Sequence, residues 1–156
     1  MNKPIEVLME TIRELLTDDH RQCDDLFAVV EQAVAAGEWE KADAAFARFC
    51  AAMLNHFDIE ESTLFPEFEA RTGMTMGPTQ VMRGEHRQMR ELLAAAEVSL
   101  GARDADDYSG YAETLLIMAQ QHNMKEENVL YPMCDQHLND RMDSLLPTLK
   151  KSLDAR

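Results

Sequence analysis

Apolar side chains recur at steps of three and four in four long stretches of this chain. From about residue 18 to Ala36 the stripe runs His20, Cys23, Phe27, Val30 and Val34, one face of a helix that Gly37 stops. A second stretch, from about Glu38, carries Phe46, Phe49, Met53, His56 and Glu60 as a heptad seam, and Pro66 is expected to bend or end it. The third runs from about Pro78 to Leu100 with Met82, His86, Met89, Leu93 and Ala96 on one stripe, and Gly101 is expected to end it. The fourth carries Tyr111, Leu115, Met118, His122, Glu126 and Val129 along its expected inner face. Residues 73–78 and 104–107 read as links. A segment opened by Pro4 is expected to be separate, because Thr17, Asp18 and Asp19 can cap a new helix start. A last short helix, over about 140–152 and containing Pro147, looks peripheral. The pattern predicts an all-α, up-down-up-down four-helix bundle with short N- and C-terminal helical segments.

The apolar stripes are broken by polar residues in a repeating way. HFDIEESTLFPEF, beginning at His56, is echoed by HNMKEENVLYPMC, beginning at His122, and DHRQ around His20 is echoed by EHRQ around His86. His20 and His86, His56 and His122, and Glu60 and Glu126 share one offset of 66 residues. The chain therefore reads as a duplicated helical hairpin. The midpoint of His20 and His56 is Glu38, beside the first turn; that of His86 and His122 is Asp104, inside the second. At about 1.5 Å rise per residue, each histidine lies roughly 27 Å from its turn, so all four meet in one layer. Glu60 and Glu126, four residues after a histidine, lie about 40° from it around the helix and face inward with it. Glu61 and Glu127, at about 140°, should face neighbouring helices or solvent.

Two carboxylates in opposed apolar seams repel each other unless a cation lies between them. Imidazole with carboxylate suits iron or manganese, and six ligands are too many for one tetrahedral zinc. Two acids shared among four histidines imply two metals, each bound by two imidazoles and both bridging glutamates. An oxo or hydroxo bridge would then leave a vacant position on each ion. The competing reading is a bundle in which the histidines only pack, with one zinc ion or none.

Composition narrows the partners. The net charge of −14 disfavours nucleic acid and anionic membranes. No apolar run is long enough to span a bilayer, and the N-terminal stretch is interrupted by Glu6, Glu10, Arg13 and Glu14, unlike a signal peptide. Cys23, Cys50 and Cys134 form no CxxC pair and are odd in number, so reduced thiols in the cytoplasm are expected. With 156 residues, one domain is expected, its metal-binding core spanning about 18–136.

The pattern H…HxxxEExxLFP…H…HxxxEExxLYP resembles the hemerythrin-like, or HHE cation-binding, family. The resemblance implies a non-haem di-iron centre, oxo- or hydroxo-bridged, in which manganese or zinc can substitute. Its ligands would be His20, His56, His86 and His122, with Glu60 and Glu126 as bridges. The oxygen carriers have a fifth histidine where this chain has Arg90, and HxxxxD where it has Glu126 and Glu127. The ligand set is thus similar to the four-histidine iron-centre-repair type, although those proteins usually carry an extra cysteine-bearing domain. This implies binding of, or reaction with, O₂, NO or peroxide in oxidative or nitrosative stress defence, or iron donation, with a redox partner or an iron-receiving protein. The alternative is an oxygen-carrying or oxygen- or iron-sensing module without turnover. Around the site, Asp24 and Arg90 are weighed as an ion pair against two unrelated surface charges, and Cys23 as a small buried hydrophobe against a residue facing the pocket. Met53, Met89 and Met118 are read as an apolar floor and His137 as a surface residue; Tyr131, which replaces Phe65 of the first repeat, is read as a half-buried packing residue, with a hydroxyl reaching the site edge as the alternative.

Overall fold

The computed structural model describes residues 11–155. Among these, seven α-helices succeed one another and no strand is present. They are α1 (Ile12–Ala35), α2 (Trp39–Ile59), α3 (Phe65–Thr72), α4 (Pro78–Gly101), α5 (Ala105–Lys125), α6 (Tyr131–His137) and α7 (Met142–Asp154). α1 pairs with α2 and α4 with α5, and the two hairpins pack as the predicted up-down-up-down bundle. No described helix is long and apolar enough to cross a membrane.

The first helix does not restart at Thr17–Asp19. It begins at Ile12, where the Thr11 hydroxyl accepts from the Glu14 N–H at 3.0 Å. The Asp135 carboxylate of α6 adds a tertiary cap, accepting from the Ile12 and Arg13 N–H groups at 2.7 and 3.2 Å. Asp18 and Asp19 sit within the helix, Asp18 accepting from Gln22 and Asp19 buried against His56. The expectation for Pro4 lies outside the described residues.

At the hairpin turns, Gly37 takes a left-handed conformation with φ of 68°. Its equivalent in the second repeat is Arg103, with φ of 57°, whereas Gly101 is still helical. The turn geometry, set by N–H bonds from residues 38 and 104 back to Ala33 and Ser99, is duplicated even where the glycine is not.

Of the two outcomes expected at Pro66, a bend or an end, the end does not occur. α2 continues into α3, and α5 into α6, each through five residues of π-helix, Glu60–Leu64 and Glu126–Leu130. In both, the N–H of the aromatic residue reaches back five positions, Phe65 to Glu60 and Tyr131 to Glu126. A proline follows at once and supplies no N–H. The extra residue per turn shifts the inner face, so that Leu64, Phe65 and Phe68, and likewise Leu130, Tyr131 and Cys134, point into the core. Val129 is consequently exposed. Further back on α5, Tyr108, Ala112, Leu115 and Ala119 form the buried stripe, and Tyr111 is exposed, contrary to the simple periodic reading.

Two apolar clusters result. One, nearer the hairpin turns, contains Phe27, Phe46, Phe49, Leu93, Tyr108 and Leu115. The other contains Ile12, Leu16, Leu64, Phe68, Leu138 and Leu149. The last helix belongs to this second cluster rather than the periphery. Leu145, Leu149 and Leu153 of α7 are buried in it, spaced by four so that they share one helix face despite Pro147.

Candidate metal centre

Between the two clusters lies a polar layer. His20, His56, Glu60, His86, His122 and Glu126 are each 5% exposed or less. The duplicated spacing places them there, one histidine on each of α1, α2, α4 and α5 and one glutamate at each π-turn. Glu60 Oε1 lies 3.4 Å from Nε2 of His56 on its own helix and 3.2 Å from that of His86 on the other hairpin. Glu126 Oε1 lies 3.1 Å from Nε2 of both His122 and His20, the same arrangement turned about a pseudo-twofold axis.

Each Nε2 faces the centre because each Nδ1 is held from behind by an acid. His20 Nδ1 pairs with Glu127 at 2.7 Å and His86 Nδ1 with Glu61 at 2.6 Å. His56 Nδ1 pairs with Asp19 at 2.7 Å and His122 Nδ1 with Glu85 at 2.9 Å. These four acids obey the same repeat, Asp19 matching Glu85 and Glu61 matching Glu127. Such outer hydrogen bonds fix the ring orientation and raise the basicity of a ligating imidazole. Glu61 and Glu127 thus lie outside the layer, as expected from their helical position. The roles of Asp19 and Glu85 were missed, although the acid before His20 and His86 in DHRQ and EHRQ was their signal. Asp19→Ala or Glu85→Ala is expected to weaken metal binding about 10- to 100-fold, measurable by competition with a chelator.

Electrostatics follow from this packing. Burial alone would lower the histidine pKa values. The Glu126 carboxylate, with Glu60 and Glu85, outweighs it and raises His122 to about 9. His56 is pushed well above its ordinary value against the same burial, by Glu60 and Asp19. His20 is raised by Glu126 and Glu127. Burial would raise Glu60, but the charge of His56 holds its carboxyl well below the usual carboxylate range.

Two residues depart from expectation. Tyr131 is not a half-buried packing residue: it is fully buried, and its hydroxyl stands inside the layer. That hydroxyl donates to Glu60 Oε2 at 2.8 Å or Glu126 Oε1 at 3.0 Å, and lies 3.2 Å from Nε2 of both His20 and His56. The π-turn explains the miss, since five residues past Glu126 a regular helix would point Tyr131 away. Arg90 does not pair with Asp24. Its guanidinium forks onto Glu61 at 3.0 and 3.2 Å, the acid that already holds His86.

Cys23 is buried and borders a cavity of about 20 Å³ against His20 and His56, walled by Phe27, Phe49, Met53 and Leu115. Asp24 and Asn123 line both this cavity and a surface groove between α1 and α5, marking its mouth. Met53 and Met89 are buried in the adjoining apolar cluster and Met118 packs on it half-buried, as the floor reading expected; His137 is exposed.

The layer fits a metal on its own chemistry. Among the described residues, five buried side-chain polar atoms lack a hydrogen-bond partner, and four of them are Glu60 Oε1, His86 Nε2, His122 Nε2 and Glu126 Oε2. Leaving a buried polar group unmet costs about 1–3 kcal/mol, so four in one layer call for a shared cation. Ligand atoms of Glu60, His86, His122 and Glu126 lie within 4.8 Å of one another, as do those of His20, His56 and Glu126. Comparison with protein families matches residues 11–134 to the hemerythrin HHE cation binding domain. The chain belongs to the hemerythrin family. In this hemerythrin domain the match runs from the cap of α1 to Cys134, so it takes in the whole polar layer and Tyr131. Family and cluster together make it a metal-binding domain. Neither the comparison with curated proteins nor that with solved structures gave a match.

Proposed function

We propose that this hemerythrin domain holds two non-haem iron ions and reacts with O₂, NO or peroxide, in stress defence or in the repair of iron centres. His20 and His56 would bind one ion and His86 and His122 the other, with Glu60 and Glu126 bridging. Two observations support the reading: the four orphaned atoms of Glu60, His86, His122 and Glu126, which one cation would satisfy together, and the second cluster of ligand atoms, from His20, His56 and Glu126, which could hold another. Iron so bound supplies redox chemistry and a position for a small ligand.

The surrounding residues supply access and confinement. The cavity against His20 and His56 has room for about one water-sized or diatomic molecule. Phe27, Phe49 and Met53 keep its walls apolar, while Asp24 and Asn123 meet solvent at the mouth. Arg90 stands one helical turn after His86, where an extra imidazole would add a ligand, and is committed to Glu61 instead. That leaves room for exogenous ligands and favours the four-histidine, iron-centre-repair type over an oxygen carrier. A redox partner or an iron-receiving protein would complete such a role.

Mixing the reduced, iron-loaded protein with oxygen tests this. Rapid, irreversible oxidation is expected. A coloured adduct that reverses when oxygen is removed would instead establish carriage or sensing.

A further inference from the structure

We infer that the Tyr131 hydroxyl is a ligand to the metal held by His20 and His56, so that the two metal positions are chemically unlike. The inference rests on the two-metal reading above and adds a seventh side chain to it.

The Tyr131 oxygen lies 2.8–3.2 Å from four atoms, Glu60 Oε2, Glu126 Oε1, His20 Nε2 and His56 Nε2. Those four are the donors expected around one ion. Adjacent ligands in an octahedral site with bonds of about 2.1 Å are separated by roughly √2 times that length, about 3 Å. The phenol oxygen therefore stands at the spacing of a neighbouring ligand on every side. A residue that only packed beside the site would not approach four donor atoms at once.

The second position differs. The repeat equivalent of Tyr131 is Phe65, which has no oxygen and lies stacked beside the His86 ring, with centroids 5.9 Å apart and planes 14° apart. The orphaned atoms show the same division. Nε2 of His86 and His122 have no hydrogen-bond partner, whereas Nε2 of His20 and His56 both have the phenol. The π-turn before each aromatic residue is duplicated, so both rings are aimed inward, and only the hydroxyl breaks the symmetry. On the side towards the hairpin turns, the cavity meets the same His20–His56 pair. An exogenous ligand entering there would meet the phenol-bound ion.

A cation bound there would take the place of the phenol proton, which would pass to solvent, so that an O–H bond is exchanged for an oxygen–metal bond, as for any acidic ligand. Nothing is oxidised or reduced in that step.

The experiment compares the ferric, iron-loaded protein with Tyr131→Phe. The wild type is expected to show a visible phenolate-to-iron charge-transfer band, with tyrosine ring modes enhanced in resonance Raman spectra excited within it. Ring-deuterated tyrosine should shift those modes. Tyr131→Phe should lose band and ring modes while retaining iron on the histidines and glutamates. If that variant fails to fold, the isotope shift in the wild type decides alone, because Tyr108 is buried in the other cluster and Tyr111 is on the surface. A wild type that binds two irons without the ring modes, or a variant that keeps the band, overturns the inference and leaves the two-metal reading intact. A wild type that takes up no iron overturns both.

Discussion

Glu126→Ala is expected to empty the metal site and lower the melting temperature in the same variant. Glu126 is the one residue common to both groups of candidate ligands. Its Oε1 atom is approached by His20, His122 and Tyr131 at 3.0–3.1 Å. On the two-metal reading, removing the carboxylate takes one ligand from each ion, and it leaves His20 and His122 with Nδ1 acids that still favour the charged form. Breaking a buried charge pair by deleting one partner costs about 3–5 kcal/mol. For a domain of this size, each kcal/mol is worth roughly 2–4 °C, so the drop should reach about 10 °C. Glu60→Ala and His56→Ala should act in the same direction. Iron per chain and a calorimetric melt measure both effects, with His137→Ala, on the surface, as a control that changes neither. A Glu126→Ala protein with full iron content and unchanged melting would exclude the ligand assignment.

Metal-free and metal-loaded protein should respond to pH with opposite signs. Folding raises His122 from about 6.5 to about 9, chiefly because Glu126 outweighs the effect of burial. A histidine raised on folding contributes stability below its unfolded pKa and loses it as pH rises through the folded one. At about 1.4 kcal/mol per pH unit, His122 alone accounts for roughly 3 kcal/mol, lost between about pH 6.5 and 9. His20 and His56, also raised, act alike. Glu60 is depressed, so its contribution is present above about pH 4.5 and is lost in stronger acid. The metal-free protein should therefore be most stable between about pH 5 and 6.5. A metal needs neutral imidazoles, so its binding releases protons and strengthens as pH rises over the same range. Melting temperatures of chelator-stripped and metal-loaded protein at pH 6.5 and 8.5 should diverge, the first falling and the second holding or rising. Stripped protein that gains stability toward pH 8.5 would contradict this charge arrangement.

The bundle and the six converging side chains were legible because both depend on one periodicity. A step of three or four places a residue on an inner face, and the 66-residue repeat aligns two such faces at one height. The same rule failed where the period changes. Each π-turn adds a residue, which moved Tyr131 from an apparent flank to the centre of the layer and left Val129 in solvent. Long-range partners were illegible for another reason. The cap that Asp135 places on α1 joins residues 122 and 123 positions apart, and no local pattern encodes it. Asp19 and Glu85 fall between these cases. Each adjoins a predicted ligand, yet each serves the histidine of the neighbouring helix. Finding them requires asking what holds Nδ1 as well as what binds Nε2. The buried leucines of α7 were likewise visible as a four-residue spacing, masked by Pro147 and the shortness of the helix.

Anomalous diffraction from crystals of the iron-loaded protein tests the central claim most directly. Two iron peaks no more than about 4 Å apart are expected within the layer. One should lie against His86 and His122, the other against His20 and His56, with Glu60 and Glu126 between them. A single peak, a peak elsewhere in the bundle, or imidazoles that keep their Nε2 atoms free of iron would contradict it.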